Sequence, residues 1–270
     1  MDANEAERQR WNDEIWASVW PKRERLTNQV TPFLLEALEL RRGERVLDIG
    51  CGGGNTSLAA AAAVGAQGAV VGADISKPIL ALAERRAEEA AAGNVTFVHC
   101  DVQVDRVGGG HFDVAMSQFG VMFFDEPVTA FANIRAHLRG GGRLGFACWQ
   151  PLDRNSWFPG PVLAPFLPAP RPPAVGKSPT GPFTLGDPGL VIEILTAAGF
   201  LQISSTAKDM VIQVPRDAIV DDEQLTIMGV AATALGDARG AVRRHLSHFG
   251  ESNGDYSLPL AFQVFTSRRD

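Results

Sequence analysis

Apolar and polar residues follow two alternating patterns along the chain. Short apolar runs rich in Val, Ile, Leu and Phe end at glycine, asparagine or acidic residues, which is typical of buried strands. The segments between them carry apolar residues at helical spacing. This alternation predicts an α/β fold with a parallel sheet flanked by helices. The predicted strands are 45–49, 69–75, 95–100, 112–119, 144–149, one within 200–214, and 260–266; the predicted helices are 56–64, 78–92, 127–138, 190–198, 221–235 and 237–249.

The first predicted strand leads directly into a glycine-rich turn and a helix. Asp48 lies near the end of the strand, and glycines occupy positions 50, 52, 53 and 54 before an alanine-rich segment. Strand, glycine turn and helix in this order form the first half of a nucleotide-binding βαβ unit. Glycines allow a tight bend and close approach of a ligand, and the helix start offers unpaired N–H groups. We therefore expect Gly50, Gly52 and Gly54 to form a close-approach turn.

The glycine spacing indicates which nucleotide is bound. A dinucleotide fingerprint has glycine at the first, third and sixth positions, beside the pyrophosphate. Here the sixth position, counted from Gly50, is Asn55, and the Asp48 carboxylate would repel a pyrophosphate. A carboxylate suits a ligand with an ammonium group instead. S-adenosyl-L-methionine, an amino acid joined to adenosine, meets both conditions and is the expected cofactor, with S-adenosyl-L-homocysteine as product.

Asp74 ends the second predicted strand, about 20 residues beyond the glycine turn. A carboxylate there can accept hydrogen bonds from both hydroxyls of a ribose. Ser76 and Pro78 can cap and start the following helix. This arrangement would leave Asp74 free for the ligand.

Residues 47–54, with the sequence Leu-Asp-Ile-Gly-Cys-Gly-Gly-Gly, resemble motif I of the class I S-adenosylmethionine-dependent methyltransferases. Residues 120–127 are similar to a small-molecule subgroup that includes ubiquinone and menaquinone biosynthesis methyltransferases. The resemblance covers about residues 43–150 and implies a Rossmann-like sheet of seven strands whose last strand is antiparallel. Members of the subgroup often carry arginine where this chain has Gln118, so an anionic substrate contact is not carried over to this position.

The resemblance also implies further cofactor contacts. Asp101 corresponds to an acidic position after the third strand, where it would accept a hydrogen bond from the adenine amine, with Val102 near the ring. Ile75 is expected to pack on the adenine and Ser117 to line the methionine end. Asp48 is expected on the ammonium side, directly or through water.

Residues 1–40 precede the first strand and contain Trp11, Trp16 and Trp20 in a polar, helix-capable background. These aromatic residues either dock the N-terminal helices on the core or belong to a lid of the kind that class I enzymes often carry. The two interpretations are compatible, and we expect a helical lid over 1–40.

The remainder, 41–270, is expected to form the methyltransferase domain, with two cap insertions. The first, about 151–187, is rich in proline and therefore cannot be a central strand or a helix interior. The second, about 215–255, has helical segments. The first insertion follows the fifth strand, and the second follows the sixth.

The expected reaction is in-line displacement at the methyl group by an oxygen, nitrogen or carbon atom of a small, fairly hydrophobic metabolite. The expected acceptor pocket is apolar and consists of Trp16, Trp20, Phe119, Met122, Trp149 and Trp157. An alcohol acceptor would need a general base. His99, His111, His137 and Asp125 are candidates, and none of them is assigned as a catalytic residue.

Charge and composition limit the partners. The net charge of −6 and the pI near 5.4 disfavour nucleic acid. Cys51, Cys100 and Cys148 lack metal-ligand spacing, and His245 and His248 lack a third ligand, so no metal is expected. The N-terminus has no apolar signal core and no apolar run is long enough for a membrane span, so we expect a cytoplasmic protein.

Two other functions stay open as alternatives. One is a non-catalytic S-adenosylmethionine-binding protein. The other is a nicotinamide-dependent oxidoreductase, which Asn55 and Asp48 disfavour.

Overall fold

The computed structural model describes residues 4–169, 172–216, 219–252 and 255–270. Residues 1–3 of the expected lid, and residues 170–171, 217–218 and 253–254 of the two expected insertions, lie outside the described residues. Within the described ranges, no helix combines the length and the apolar composition that crossing a lipid bilayer requires.

The described strands form one mixed sheet. They are β1 Arg45–Ile49, β2 Ala69–Asp74, β3 Val95–His99, β4 Phe112–Gln118, β5 Leu138–Trp149, β6 Leu201–Pro215, β7 Glu251–Ser252 and β8 Asp255–Arg268. Their order is β3-β2-β1-β4-β5-β8-β6, and β7 pairs with β8 off this path. β1 to β5 run parallel, whereas β8 runs antiparallel to β5 and β6. The predicted seven-stranded sheet with an antiparallel last strand is confirmed, and β7 is an additional two-residue strand.

Helices flank this sheet. They are α1 Glu5–Trp11, α2 Ile15–Thr27, α3 Thr31–Leu38, α4 Asn55–Val64, α5 Lys77–Glu89, α6 Pro127–His137, α7 Gly160–Leu163, α8 Pro188–Ala197, α9 Asp222–Ile227 and α10 Leu235–Leu246. α4 packs on β1 and β2, α5 on β3, and α6 on β5. As predicted, Ser76 caps α5: its Oγ accepts a hydrogen bond from Ile79 N at 3.4 Å, and a proline lies in the first turn.

The structure differs from the prediction at β5 and at the helix predicted over 221–235. β5 begins at Leu138 rather than at 144, because residues 138–143 continue beside β4 through an irregularity at which the register shifts and Gly141 adopts a φ of 72°. The helix predicted over 221–235 stops at Ile227, because Gly229 adopts a φ of 98°, which ends the helical path. The described residues of the proline-rich segment form the one-turn α7 and short 3-10 turns and no strand, as its composition predicts.

Arg143 on β5 fastens the end of α3 to the sheet. Its Nη1 and Nη2 donate to Glu44 Oε1 and Oε2 at 2.7 and 2.8 Å. Its Nε donates to Leu38 O at 2.7 Å. The side chains of Arg143 and Glu44 are only 16% and 11% exposed. The pair therefore joins the N-terminal helices to the residue that precedes β1.

We predict that Arg143→Leu lowers the free energy of unfolding by about 3 kcal/mol, because it leaves a largely buried carboxylate without its partner. Arg154→Leu is the matched control: Arg154 pairs with Asp209, and the two side chains are 56% and 62% exposed. Such an exposed pair contributes at most about 1 kcal/mol. Urea denaturation of both variants measures the difference, and equal losses would contradict this account of Arg143.

Candidate functional site

A cavity lies at the carboxyl ends of the parallel strands. The strand order reverses at β1, with β2 and β3 on one side and β4 and β5 on the other. Ligands of open α/β sheets bind at such a point. On the β2–β3 side the lining includes Asp74 and Asp101, and on the β4–β5 side it includes Phe119, Trp149 and Trp157. The cavity thus joins a polar end to an aromatic end.

The glycine turn between β1 and α4 is tightly packed. Gly50 has a φ of 63°, and a Cβ on it would lie 2.8 Å from Gly120 Cα. Gly52 has a φ of 53°, and a Cβ on it would fall against the Trp20 ring of α2. A Cβ on Gly54 would lie 3.0 Å from a side chain of α5. Glycine is therefore required both by the backbone conformation and by the approach of β4, α2 and α5.

The three glycines that were expected to form the turn beside the ligand have different surroundings. Gly50 lines the cavity, together with Cys51 and Gly53. Gly52 and Gly54 lie outside that lining, because they face Trp20 and α5. In the structure these two glycines support the turn from behind, and their direct contact with a ligand stays a prediction.

An ion pair fastens α2 and α5 across the same turn. Arg86 Nη1 donates to Glu24 Oε1 and Oε2 at 2.6 and 2.8 Å. The same nitrogen donates to Gly53 O at 2.9 Å. Glu24 is buried, so this contact holds α2 directly over the turn.

Asp48 points away from the cavity into the start of α4. Its Oδ2 accepts hydrogen bonds from Thr56 Oγ1 and Ser57 Oγ, both at 2.6 Å, and the residue is fully buried outside the cavity lining. Its Oδ1 has no partner among the described residues. The structure therefore differs from the expected ammonium contact: the two hydroxyls hold this carboxylate in the interior.

Asp74 lines the cavity but is not free, contrary to expectation. Its Oδ2 accepts from Gly52 N at 2.8 Å and its Oδ1 from Ser76 N at 2.9 Å. Burial raises its pKa, although these hydrogen bonds act in the opposite direction. A carboxylate has about four acceptor sites, so Asp74 keeps capacity for ligand hydroxyls. The adjacent Ile75 also lines the cavity.

Asp101 and Val102 line the cavity beside Asp74. Asp101 Oδ2 accepts from Arg8 Nη2 of α1 at 3.2 Å, and its Oδ1 accepts from Gln103 N at 3.0 Å. Burial raises its pKa. The first N-terminal helix thus reaches the acidic residue that was expected to contact adenine.

Two expected site residues lie behind the cavity. Ser117 is fully buried outside the lining, with its Oγ donating to Ile49 O at 2.7 Å, because alternate residues of a strand point to opposite faces. The next residue, Gln118, lines the cavity instead. Trp16 is also buried outside the lining, where its ring lies 4.3 Å from that of Trp11.

The other expected pocket residues line the aromatic end: Trp20, Phe119, Met122, Trp149 and Trp157. Phe119 and Trp149 stack with centroids 4.2 Å apart, and Trp157 lies 5.7 Å from Trp149. Phe119 has a φ of 62°, which is uncommon for a bulky residue and indicates a constrained position. The stacked rings give a preformed flat wall.

The candidate bases lie away from the cavity lining. His137 Nε2 accepts from Val107 N at 2.8 Å, which is a structural role. His99 Nε2 lies 3.0 Å from Ile75 O, and Asp125 accepts from Gln103 Nε2 at 2.7 Å. Across the described residues, no group of three or more His, Cys, Asp and Glu side chains is arranged for a metal ion.

Sequence reasoning missed Arg23 and Thr27, which also line the cavity. Trp16, Trp20, Arg23 and Thr27 follow one another at intervals of three or four residues and so share one face of α2. That helical spacing is a usable signal in the sequence, because it places Arg23 and Thr27 on the helix face of the two tryptophans.

Comparisons with known proteins identify the family and the fold. A family model described as a methyltransferase domain matches residues 46–142. Aklanonic acid methyltransferase DauC of Streptomyces sp. (strain C5) is 35% identical over 137 residues, 50% of this chain and 61% of that protein. Nocamycin O-methyltransferase of Saccharothrix syringae is 30% identical over 191 residues, 67% of this chain and 68% of that protein.

The ubiquinone/menaquinone biosynthesis C-methyltransferase UbiE of Azotobacter vinelandii is 36% identical over 113 residues, 42% of this chain and 45% of that protein. The match thus spans less than half the length of UbiE and about three fifths of DauC. The crystal structure of the YcgJ protein from Bacillus subtilis shares the fold, with a TM-score of 0.57 at 19% identity over 89% of this chain and 98% of that chain.

The burial of Asp48 predicts a pH-dependent stability. Burial, opposed by the Ser57 and Thr56 hydrogen bonds, raises the pKa of Asp48 to about 7. Between about pH 4 and pH 7 the folded protein therefore holds a proton that the unfolded chain has lost. The free energy of unfolding should fall as pH rises through this window, by roughly 1 kcal/mol per pH unit.

Asp48→Asn should lose this dependence, because the amide does not titrate while its oxygen can still accept from the hydroxyls. Urea denaturation from pH 5 to 8 would show the wild type losing stability relative to the variant as pH rises. Asp153→Asn, at an exposed position, serves as the control and should follow the wild type. Parallel pH profiles for wild type and Asp48→Asn would refute the assignment.

Proposed function

The chain belongs to the class I S-adenosylmethionine-dependent methyltransferases, in a small-molecule subgroup similar to the ubiquinone and menaquinone biosynthesis enzymes, and on this premise we propose that it methylates an oxygen, nitrogen or carbon atom of a small, fairly hydrophobic metabolite. The observation that carries the proposal is the continuous cavity, which joins the carboxylates after β2 and β3 to the aromatic wall after β4 and β5.

The residues at the polar end fit S-adenosyl-L-methionine. Asp74 can accept from ribose hydroxyls, Asp101 from the adenine amine, and Ile75 and Val102 offer apolar contact to a purine. The two carboxylates, together with Asn55 where a dinucleotide fingerprint has glycine, favour this cofactor over a nicotinamide dinucleotide.

The aromatic end supports a flat, apolar acceptor. When bound, the cofactor supplies a methyl group on a positively charged sulfur: the acceptor atom bonds to the carbon, and the electron pair of the broken C–S bond stays on sulfur. The protein's contribution is to align the two reactants and to exclude water. Such positioning can lower a barrier by up to roughly 7–11 kcal/mol.

The names of the relatives agree with a small-molecule acceptor. Two of them act on aklanonic acid and on a nocamycin compound, and the third acts in quinone biosynthesis. Their share of matched length is limited, so the acceptor of this chain is inferred from its own cavity. The stacked pair Phe119 and Trp149 favours an aromatic or polyketide-like metabolite or a quinone.

We assign the described part of residues 1–40 as a lid. Arg8 contacts Asp101, the Trp20 ring covers Gly52, and Glu24 binds Arg86 beside Gly53. These contacts, and the Trp11 ring of α1 at 5.2 Å from the Phe123 ring in the cavity lining, support the assignment. Entry of the cofactor then requires Arg8 to share or release Asp101.

Asp74→Ala should weaken the binding of S-adenosyl-L-homocysteine at least about tenfold, because loss of a hydrogen bond to a charged group costs about 1.5 kcal/mol or more. Isothermal titration calorimetry measures the affinity, and circular dichroism checks that the variant folds. Asp153→Ala, at an exposed position outside the cavity, should bind as the wild type does. Unchanged affinity of the Asp74 variant would remove this residue from the cofactor site.

Methyl transfer itself is tested by incubating the protein with isotope-labelled S-adenosyl-L-methionine and a panel of phenols, aromatic acids and quinols, with mass spectrometry of the products. Labelled product supports the proposal. Binding of S-adenosyl-L-homocysteine without product across the panel favours a non-catalytic binding protein. Binding of NADH in its place would overturn the proposal.

A further inference from the structure

The charged side chains around the cavity differ in whether they have hydrogen-bond or ion-pair partners within the protein. The acidic residues in the lining are Glu7, Glu24, Asp74 and Asp101, and each has partners. Glu7 accepts from Thr180 Oγ1 and from Trp11 Nε1, both at 2.7 Å. The partners of the other three are the backbone N–H groups and arginines described above. These acids therefore do not require a cation from a ligand.

Arg23 is the cation of this lining, among the residues that the structure describes. It forms no hydrogen bond or ion pair with the described residues, and its guanidinium lies over the Trp16 ring, 5.5 Å from the centroid. Burial, and secondly the like charge of Arg10, lower the pKa of Arg23 to about 10. The guanidinium is thus charged at neutral pH in surroundings that stabilise its charge poorly.

A second donor without an acceptor lies one turn earlier on the same face of α2. Trp20 Nε1 is buried and has no partner among the described residues. Its neighbouring ring atoms Cε2 and Cδ1 are those that approach Gly52 and Gly53, so this N–H lies beside the glycine turn. Trp20 and Arg23 are three residues apart on α2, so they are neighbours on its surface, and both line the cavity.

The opposite wall does not supply an anion to these donors. Gln118 Nε2 donates to Thr27 O at 3.1 Å, one turn beyond Arg23. The rest of the Gln118 side chain is a neutral amide, whose Oε1 is buried without a partner in the described part of the chain. The space between the glycine turn and the end of β4 is therefore bordered by a cation and an indole N–H, with no protein acid paired to either.

We propose that the Arg23 guanidinium and the Trp20 indole N–H together bind a carboxylate of a bound small molecule. This inference rests on the proposed function, because the site lies where cofactor and acceptor meet. Two carboxylates have the required chemistry: the one at the amino-acid end of the cofactor and one on an acidic acceptor. A planar guanidinium binds a carboxylate through two parallel hydrogen bonds, which a neutral isostere of that group cannot reproduce.

Calorimetry with matched ligand pairs tests the proposal and separates the two sources. S-adenosyl-L-homocysteine is compared with 5′-methylthioadenosine, which lacks the amino-acid end. 2-Naphthoate is compared with 2-naphthamide in the presence of S-adenosyl-L-homocysteine. Arg23→Gln should lower the affinity for one of the two carboxylate ligands about tenfold or more, while the affinity for its uncharged counterpart changes less than about twofold. The carboxylate ligand whose affinity falls identifies the source of the carboxylate.

Matched variants complete the design. Arg25→Gln removes an exposed arginine from the same helix and should bind every ligand as the wild type does. Arg23→Lys keeps the charge and should lose less than Arg23→Gln. Trp20→Phe keeps the ring without its N–H and should weaken the same carboxylate ligand about threefold to tenfold; it also serves if Arg23→Gln does not fold.

The proposal is overturned if Arg23→Gln binds both carboxylate ligands as tightly as the wild type, or if charged and uncharged members of a pair weaken equally. If 2-naphthoate does not bind to the wild type, the comparison of S-adenosyl-L-homocysteine with 5′-methylthioadenosine alone decides whether the proposal holds. If the wild type binds neither S-adenosyl-L-homocysteine nor 5′-methylthioadenosine, the proposed function fails, and this result is distinct from a loss confined to the variants.

Discussion

The structure depends on a five-residue turn, 50–54, in which Cys51 carries the one side chain and the other four residues are glycine. Between β1 and α4, glycine backbone is contacted by Gly120 from the end of β4, by the Trp20 ring from α2 and by Arg86 from α5. Any Cβ at Gly50 or Gly52 would displace one of these neighbours. Because these contacts converge on the same few atoms, the sheet, the N-terminal helices and the cavity are positioned relative to one another at this point.

This arrangement divides the cavity into regions with different chemistry. The β2 and β3 ends supply carboxylates that are already hydrogen-bonded to backbone N–H groups, which fixes their orientation. The β4 and β5 ends supply a wall of stacked rings. α2 lies over the junction and adds the cation. The same helix therefore borders the polar region of the cavity as well as its aromatic wall.

The sequence was informative where the relevant contacts are local. The strand 45–49, the glycine turn after it and Asp74 at the end of the next strand follow from apolar runs and turn residues, and the sheet order agrees with the family resemblance. Side-chain direction was not predictable in the same way. Asp48 turns inward because Thr56 and Ser57 donate to it, and that choice depends on packing around α4. Trp16 and Trp20 look equivalent in the sequence, yet only tertiary packing determines which one borders the cavity.

The placement of the aromatic residues gives the protein an internal optical probe. Its five tryptophans are Trp11, Trp16, Trp20, Trp149 and Trp157; four border the cavity, and Trp16 packs against two of them. No indole is located elsewhere in the molecule to contribute an unrelated background emission. A spectral change on adding a compound would therefore originate at the cavity or immediately beside it, and unlabelled protein would be sufficient for screening ligands.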